Sequence, residues 1–326
     1  MRLKTAVLLL ANLVLLDIGL LVCHKSKIPK VPNDRPQIVV PQEPTKPIII
    51  NIGIKDPVFL TYNKTIQQMQ QWEKEAPDFV EVETYGKTEK GTPLYYLRLN
   101  HKDSQVKPKV LIMSSIHGNE PLASSVCLRY VGNILTSYGK DDEITKLVDS
   151  RDIYFVPVVS PDSFPKDDSG RGMQRYVEGV DPNRDFPTKQ KPNKQSIPTV
   201  KAIQDLFAQK GFDAAISGHT YGRLFLKPWG DSVEVTAHDE AYKSILGDMS
   251  QLSGYRIKPC SAIYGKPIIG TEVDWFYRHG AFAIVIEYGT HQRVPLPSEI
   301  DYEFGLTYKA VLKFIDKAPL VNVKLD

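Results

Sequence analysis

The chain has 326 residues, of which 42% are apolar and 24% charged, with a formal net charge of +3 and a pI near 8.5. Those proportions belong to a folded globular protein, and the length suits one large α/β domain or two small ones. The positive balance is too mild, and its Lys and Arg too evenly spread, for a nucleic-acid partner. A Gly-x-Gly-x-x-Gly loop, a Walker loop and a Ser nucleophile elbow are all missing, which sets aside nucleotide-binding and serine-hydrolase chemistry.

Arg2 and Lys4 precede an apolar run from Ala6 to Val22, broken only by Asn12 and Asp17. Such a run at the start of a chain predicts a signal peptide or a short membrane anchor over residues 1–23, and hence export to a periplasmic, cell-surface or secreted location. Cys23 follows Leu-Leu-Val, without the small residue expected before a lipid-modified Cys. Residues 24–49 are rich in Pro, Lys and Val and lack an amphipathic period, so they read as a linker. The folded domain is expected over 50–326. Three Cys (Cys23, Cys127, Cys260) make no disulfide framework. Cys127 falls in an apolar helical stretch and reads as core, and a Cys127–Cys260 bridge is left open.

Within the domain, Tyr62 to Pro77 predicts a helix, and Phe79 to Tyr85 and Pro93 to Leu99 predict two strands joined across Lys90-Gly91-Thr92. A buried strand follows over Lys109–Ile116, then a helix from Pro121 to about Tyr138 and a strand over Asp152–Val159. Ser160 to Lys194 is a long irregular stretch, and loops of that length inside a compact domain are usually functional. Next come a helix near Thr199–Gln209, the strand Phe212–Ser217, a helix near Ala237–Leu252 and an irregular loop to Gly270. A short helix near Glu272–His279, the strand Ala281–Ile286 and a helix within Ser298–Ala318 complete the domain. Alternating strands and helices predict a single α/β domain, with a mixed, mostly parallel twisted sheet and helices on both faces.

Three strand ends carry chemistry. The first runs into His117-Gly-Asn-Glu120-Pro121, an imidazole and a carboxylate three residues apart at a turn. Strand ends are where α/β proteins bind ligands. The second, Asp213–Ser217, leads into Gly218-His219. His117, Glu120 and His219 together would give zinc two imidazoles and one carboxylate, with a position left for water. The third, Ala281–Ile286, runs into Glu287. A carboxylate closing so apolar a run is rarely there for packing, so Glu287 is the candidate general base that takes a proton from a metal-activated water and hands it to the leaving amine. The long loop adds Asn183-Arg184, an amide beside a guanidinium fork suited to a substrate carboxylate. Arg171 and Arg175 lie upstream, either of them placed to face a developing oxyanion. Tyr264 sits in a Gly- and Pro-bearing loop that could close over a substrate.

Read together, these segments resemble the zinc metallocarboxypeptidases, the family of pancreatic carboxypeptidases A and B and their bacterial relatives. The resemblance runs from about Asp56 to Phe314. It includes His117-Gly-Asn-Glu120, Ser160-Pro-Asp, Gly179-Val-Asp-Pro-Asn183-Arg184-Asp-Phe186, His219-Thr-Tyr-Gly-Arg-Leu-Phe-Leu-Lys-Pro-Trp-Gly230, Asp274-Trp275 and Glu287. It implies one zinc ion on His117, Glu120 and His219, Glu287 as general base, and Asn183 with Arg184 on the C-terminal carboxylate. By the same resemblance Arg175 is similar to the family's oxyanion arginine, although its spacing to Asn183 is one residue short, and Arg171 stays beside it as a candidate. Tyr264 looks like the family's mobile substrate-capping Tyr, displaced by two residues. Val273 occupies the position of a specificity residue and favours a terminal side chain that is not basic, an inference that Glu272 beside it complicates.

The implied activity is hydrolysis of the C-terminal amide bond of a peptide. The Asn-Arg-Asp-Phe-Pro form is also similar to bacterial members that trim cell-wall peptides, so peptide and muropeptide substrates both stand. Two other readings compete. His-Gly-Asn-Glu is shared with amidohydrolases of the aspartoacylase and succinylglutamate desuccinylase type, which act on N-acyl amino acids. A catalytically dead binding module on the same fold is the third.

Overall fold

The computed structural model describes residues 58–100, 106–167, 170–263, 265–290 and 296–323. The chain divides into Met1–Gln37 and Ile38–Asp326, and every described residue belongs to the second unit. The predicted leader at 1–23, the linker at 24–49 and the domain start at 50 lie outside the described residues. Among the described residues no helix is long and apolar enough to cross a membrane.

The first elements are α1 (Tyr62–Glu75), β1 (Val80–Lys87), β2 (Pro93–Leu99), β3 (Lys109–Ser114) and α2 (Pro121–Ser137). Then come α3 (Asp142–Asp149), β4 (Asp152–Val156), α4 (Pro198–Lys210), β5 (Ala214–Thr220) and β6 (Leu224–Lys227). The last are α5 (Asp239–Ser253), β7 (Arg256–Pro259), α6 (Glu272–Arg278), β8 (Phe282–Tyr288) and α7 (Ser298–Lys317). Local chemistry sets many of these bounds. Pro121 and Pro198 open α2 and α4, where the missing N–H costs nothing. Gly211 ends α4 at a left-handed φ of 68°. The Asp141 side chain caps α3 by accepting from the backbone N–H groups of Glu143 and Ile144.

The eight strands form one sheet in the order β1-β2-β4-β3-β5-β8-β6-β7. The pairs β4–β3, β3–β5, β5–β8 and β6–β7 are parallel, while β1–β2, β2–β4 and β8–β6 are antiparallel. This is the mixed, mostly parallel α/β sheet expected from the sequence. Helices cover both faces because side chains alternate along β8. Phe282 stacks on Tyr242 of α5 at 4.0 Å, and the Tyr288 hydroxyl meets that of Tyr130 of α2 at 3.2 Å. Val285 and Glu287, one step out of phase, turn toward the other face, where α6 begins. There Phe207 of α4 stacks on Phe276 of α6 at 4.9 Å.

Three elements differ from expectation. Helix α3 and strand β6 fall in stretches the sequence reading left unassigned, and β7 falls in the loop expected before Gly270. Strand β7 is four residues long and mostly exposed, and β6 is equally short, so neither has the apolar alternation that marks a strand. Both exist because each finds a partner already in place, β8 for β6 and β6 for β7. Strand β8 also runs further than predicted and takes Glu287 into the ladder opposite His219. Cys127 and Cys260 are buried and free, so no bridge joins them.

The sheet order places the site. The chain leaves β3, crosses to β4 on one side, and returns to β5 on the other side of β3. Such a reversal opens a crevice beyond the carboxyl ends of the two diverging strands. The segments carrying His117 and His219 leave β3 and β5 at that edge.

Candidate metal centre and active site

Glu120 stands between the two histidines. Its Oε1 lies 2.9 Å from His117 Nδ1 and its Oε2 lies 2.9 Å from His219 Nδ1. All three side chains are buried, and one donor atom from each lies within 4.8 Å of the others. The opposite nitrogens are also held. His117 Nε2 meets Asp181 Oδ1 at 3.0 Å, and His219 Nε2 meets Glu272 Oε1 at 2.8 Å. Each ring is therefore fixed with Nδ1 toward the shared centre and Nε2 against a carboxylate, the arrangement that orients histidine ligands.

The turn holding His117 is tightly built. Ser115, at φ 51°, donates its hydroxyl to the Glu120 carbonyl at 2.9 Å, and the Ser160 hydroxyl reaches the Ile116 carbonyl at 2.6 Å. The long loop folds over the same edge. Asp181 caps a single turn of 3-10 helix at Pro182–Arg184 by accepting from the Asn183 backbone N–H at 3.0 Å. The Asn183 side-chain oxygen accepts from the backbone N–H of Glu272 at 3.1 Å, which joins this loop to the start of α6.

Arg175 enters the centre as well. Its guanidinium binds Asp181 Oδ2 at 3.1 Å and comes within 3.7 Å of Glu120 Oε1. Arg171 is 81% exposed at its side chain and pairs with Asp167, away from the pocket. Of the two upstream arginines, only Arg175 thus reaches the site. His117, Glu120, His219, Glu287, Asn183 and Arg184 line one open cleft with it. Val273 is buried and lines the same cleft. Tyr264 lies outside the described residues, although its neighbour Ile263 lines the cleft.

The electrostatics follow from this packing. Burial opposes charge on Glu120, yet the facing His117 and His219 hold its carboxyl down at about 2. Burial also disfavours charged imidazoles, but Glu120 and the acids behind the rings raise both histidines above their usual range. Four acids, Glu120, Asp181, Glu272 and Glu287, call for positive charge here; a dication answers the same demand with neutral imidazoles. Glu287 is different. Burial pushes its carboxyl up to about 7 against the pull of His219, and its Oε2 has no partner among the described residues. Donor set, spacing and charge all fit one zinc ion on His117, Glu120 and His219.

The sequence profile of the family described as Peptidase_M14, zinc carboxypeptidase, matches residues 65–310. The chain belongs to the zinc carboxypeptidase family. It is 26% identical over 262 residues to carboxypeptidase A4 of Mus musculus, covering 71% of this chain and 61% of that protein. It is 25% identical over 260 residues to a zinc carboxypeptidase of Saccharothrix mutabilis subsp. capreolus, covering 66% and 58%. The chain thus spans about three fifths of the length of these curated relatives. In fold it is similar to carboxypeptidase A from Helicoverpa armigera, with a TM-score of 0.70, 18% identity, and 86% of this chain and 78% of that one covered. It is similar to thrombin-activatable fibrinolysis inhibitor at a TM-score of 0.72 and 23% identity, covering 80% and 74%.

For a zinc carboxypeptidase, two residues of the centre escaped the sequence reading. Asp181 was passed over between Val180 and Pro182, and Glu272 registered only as a complication for Val273. An acid inside an apolar helix start was the available signal for Glu272, because acids are almost never buried without a partner.

Proposed function

We propose that this chain is a metallocarboxypeptidase that hydrolyses the C-terminal amide bond of a peptide. The observation that carries the reading is the single cleft in which the His117/Glu120/His219 donors meet Glu287, Arg175, Asn183 and Arg184. Zinc held by His117, Glu120 and His219 would supply Lewis acidity toward the scissile carbonyl and the attacking water. Arg184 and Asn183 receive the substrate's terminal carboxylate, the guanidinium fork giving two parallel bonds and the amide a third. Glu287, half-buried and with one oxygen unpartnered among the described residues, accepts a proton from water and returns it to the leaving amine. Arg175 keeps positive charge beside the acyl oxygen as the carbon becomes tetrahedral. Tyr264 is the proposed cap over the bound residue.

The terminal side chain sits against Val273, Ile268, Leu226 and Val285 in this reading, which favours an apolar or uncharged residue. The apolar run at Ala6–Val22 supports export, so the proposed substrates are peptides outside the cytoplasm, peptidoglycan stem peptides among them. The test is incubation of the full chain with a panel of free and C-terminally amidated peptides and with purified muropeptides, with and without a chelator, read by mass spectrometry. Release of one terminal residue from free peptides, lost on chelation, is expected. Cleavage that ignores the chelator, or no cleavage of any substrate, overturns the proposal.

A further inference from the structure

We propose that Glu272 is a positioning residue that fixes His219 for the metal and strengthens the site's affinity for zinc. This rests on the proposed metal site at His117, Glu120 and His219.

Glu272 has no exposed surface, although it stands in the first turn of α6 at the wall of the cleft. A buried carboxylate is costly unless a donor or a cation meets it. The contact that offsets the cost here is His219 Nε2, 2.8 Å from Oε1, while Oε2 has no partner among the described residues. The acid is not free to turn away. Its backbone N–H is held by the Asn183 side-chain oxygen at 3.1 Å, and Asp274, two residues on, is pinned by the Gly230 N–H at 2.8 Å.

The geometry selects one tautomer. A carboxylate facing Nε2 keeps the proton on that nitrogen, so the lone pair of Nδ1 points at the shared centre. His117 receives the same treatment from Asp181, which Arg175 also binds. Among the described residues no arginine meets Glu272 Oε2. Its charge is therefore passed to His219 with less dilution than the charge of Asp181 is passed to His117. That makes His219 the more basic of the two imidazole donors and Glu272 the acid whose removal the metal feels most.

The test measures zinc affinity, by competition with a chromophoric chelator, on the full chain and on Glu272→Gln, Glu272→Ala and Asp181→Asn. Loss of such a partner to a histidine ligand typically weakens binding by about 10- to 100-fold. Glu272→Ala is expected in that range and below Asp181→Asn. Glu272→Gln keeps an oxygen for Nε2–H but not the charge, so it should recover part of the loss. The absorption of the cobalt-substituted protein should shift in the same order, which a residue that merely fills space would not produce. Circular dichroism establishes that each variant is folded; if Glu272→Ala is not, the Gln variant and its cobalt spectrum carry the test. Zinc affinity within twofold of the parent in a folded Glu272 variant overturns the inference. So does a change confined to KM for basic terminal residues, which would make Glu272 a reader of substrate. If the parent chain binds no zinc at all, it is the underlying metal-site reading that fails.

Discussion

His117 and His219 turn the same ring atom inward: their centroids stand 5.0 Å apart at 66°, and each Nδ1 lies 2.9 Å from an oxygen of Glu120. Both rings are already aimed, so metal binding needs little reorganisation. The protein is therefore expected to hold one equivalent of zinc and to gain stability from it. At free zinc of 100 times Kd the gain is about 2.7 kcal/mol by mass action. Thermal melts with zinc and with chelator measure this, and a melting temperature indifferent to both would contradict the site.

Glu287 offers a separable test, because it lines the cleft without belonging to the donor triad. Glu287→Gln keeps the shape and removes the ionisable carboxyl. A positioned general base contributes about 10²- to 10⁴-fold, and kcat should fall by that factor. Zinc content should not change. A Gln variant with near-parental turnover would remove Glu287 from the chemistry.

The same residue is expected to set the acid side of the pH profile. Burial raises its carboxyl to about 7, against the pull of His219. Only the ionised form accepts a proton, so kcat/KM should rise with pH up to that value and level off above it. A cation beside the carboxylate favours ionisation, so in the zinc-loaded protein the limb should lie at or below about 7. A profile flat between pH 5 and 8 would show that no such group limits the reaction.

The centre of the fold was legible because its strands β3, β5 and β8 are nearly continuous apolar runs, and their ends carry His117, His219 and Glu287. What lay hidden depends on contacts between distant segments. Strands β6 and β7 have no period of their own and form on partners far along the chain, Leu224 opposite Arg256 and Glu287, in no local pattern a reader could use. Asp181 and Glu272 acquire meaning only when the loop and α6 close on the two rings. Helix α3 is the exception. Asp141 as a cap, with Ile144, Leu147 and Val148 at helical spacing, was readable from the sequence and was overlooked.

Arg184 should distinguish free from blocked termini. Its guanidinium lines the cleft, and one nitrogen is tied to the Asn183 carbonyl at 2.5 Å. Arg184→Ala removes a charge-assisted contact worth about 1.5–3 kcal/mol, or roughly 10- to 150-fold in kcat/KM. The loss should appear mainly in KM, and only for peptides with a free carboxylate. Equal losses on amidated peptides would place Arg184 elsewhere in the mechanism.

Gly118 sits in the turn that carries His117, against the backbone of Ser163. A Cβ there would overlap the backbone carbonyl of Ser163. That carbonyl cannot retreat cheaply, because it accepts from the Gln174 backbone N–H at 2.8 Å. Gln174 in turn precedes Arg175, so the strain of a methyl group runs from the His117 turn to the arginine of the cleft. Gly118→Ala should destabilise the fold by about 1–3 kcal/mol, the usual cost of overpacking, and weaken zinc binding at the same time. Gly247, inside α5 with nothing near its Cβ position, is the matched control. Gly247→Ala should stabilise by about 0.8–1 kcal/mol through helix propensity alone and leave the metal untouched. Denaturant melts and zinc titrations on the pair would separate a general glycine effect from the close approach at residue 118. Similar behaviour in both variants would show that the Ser163 contact does not hold His117 in place.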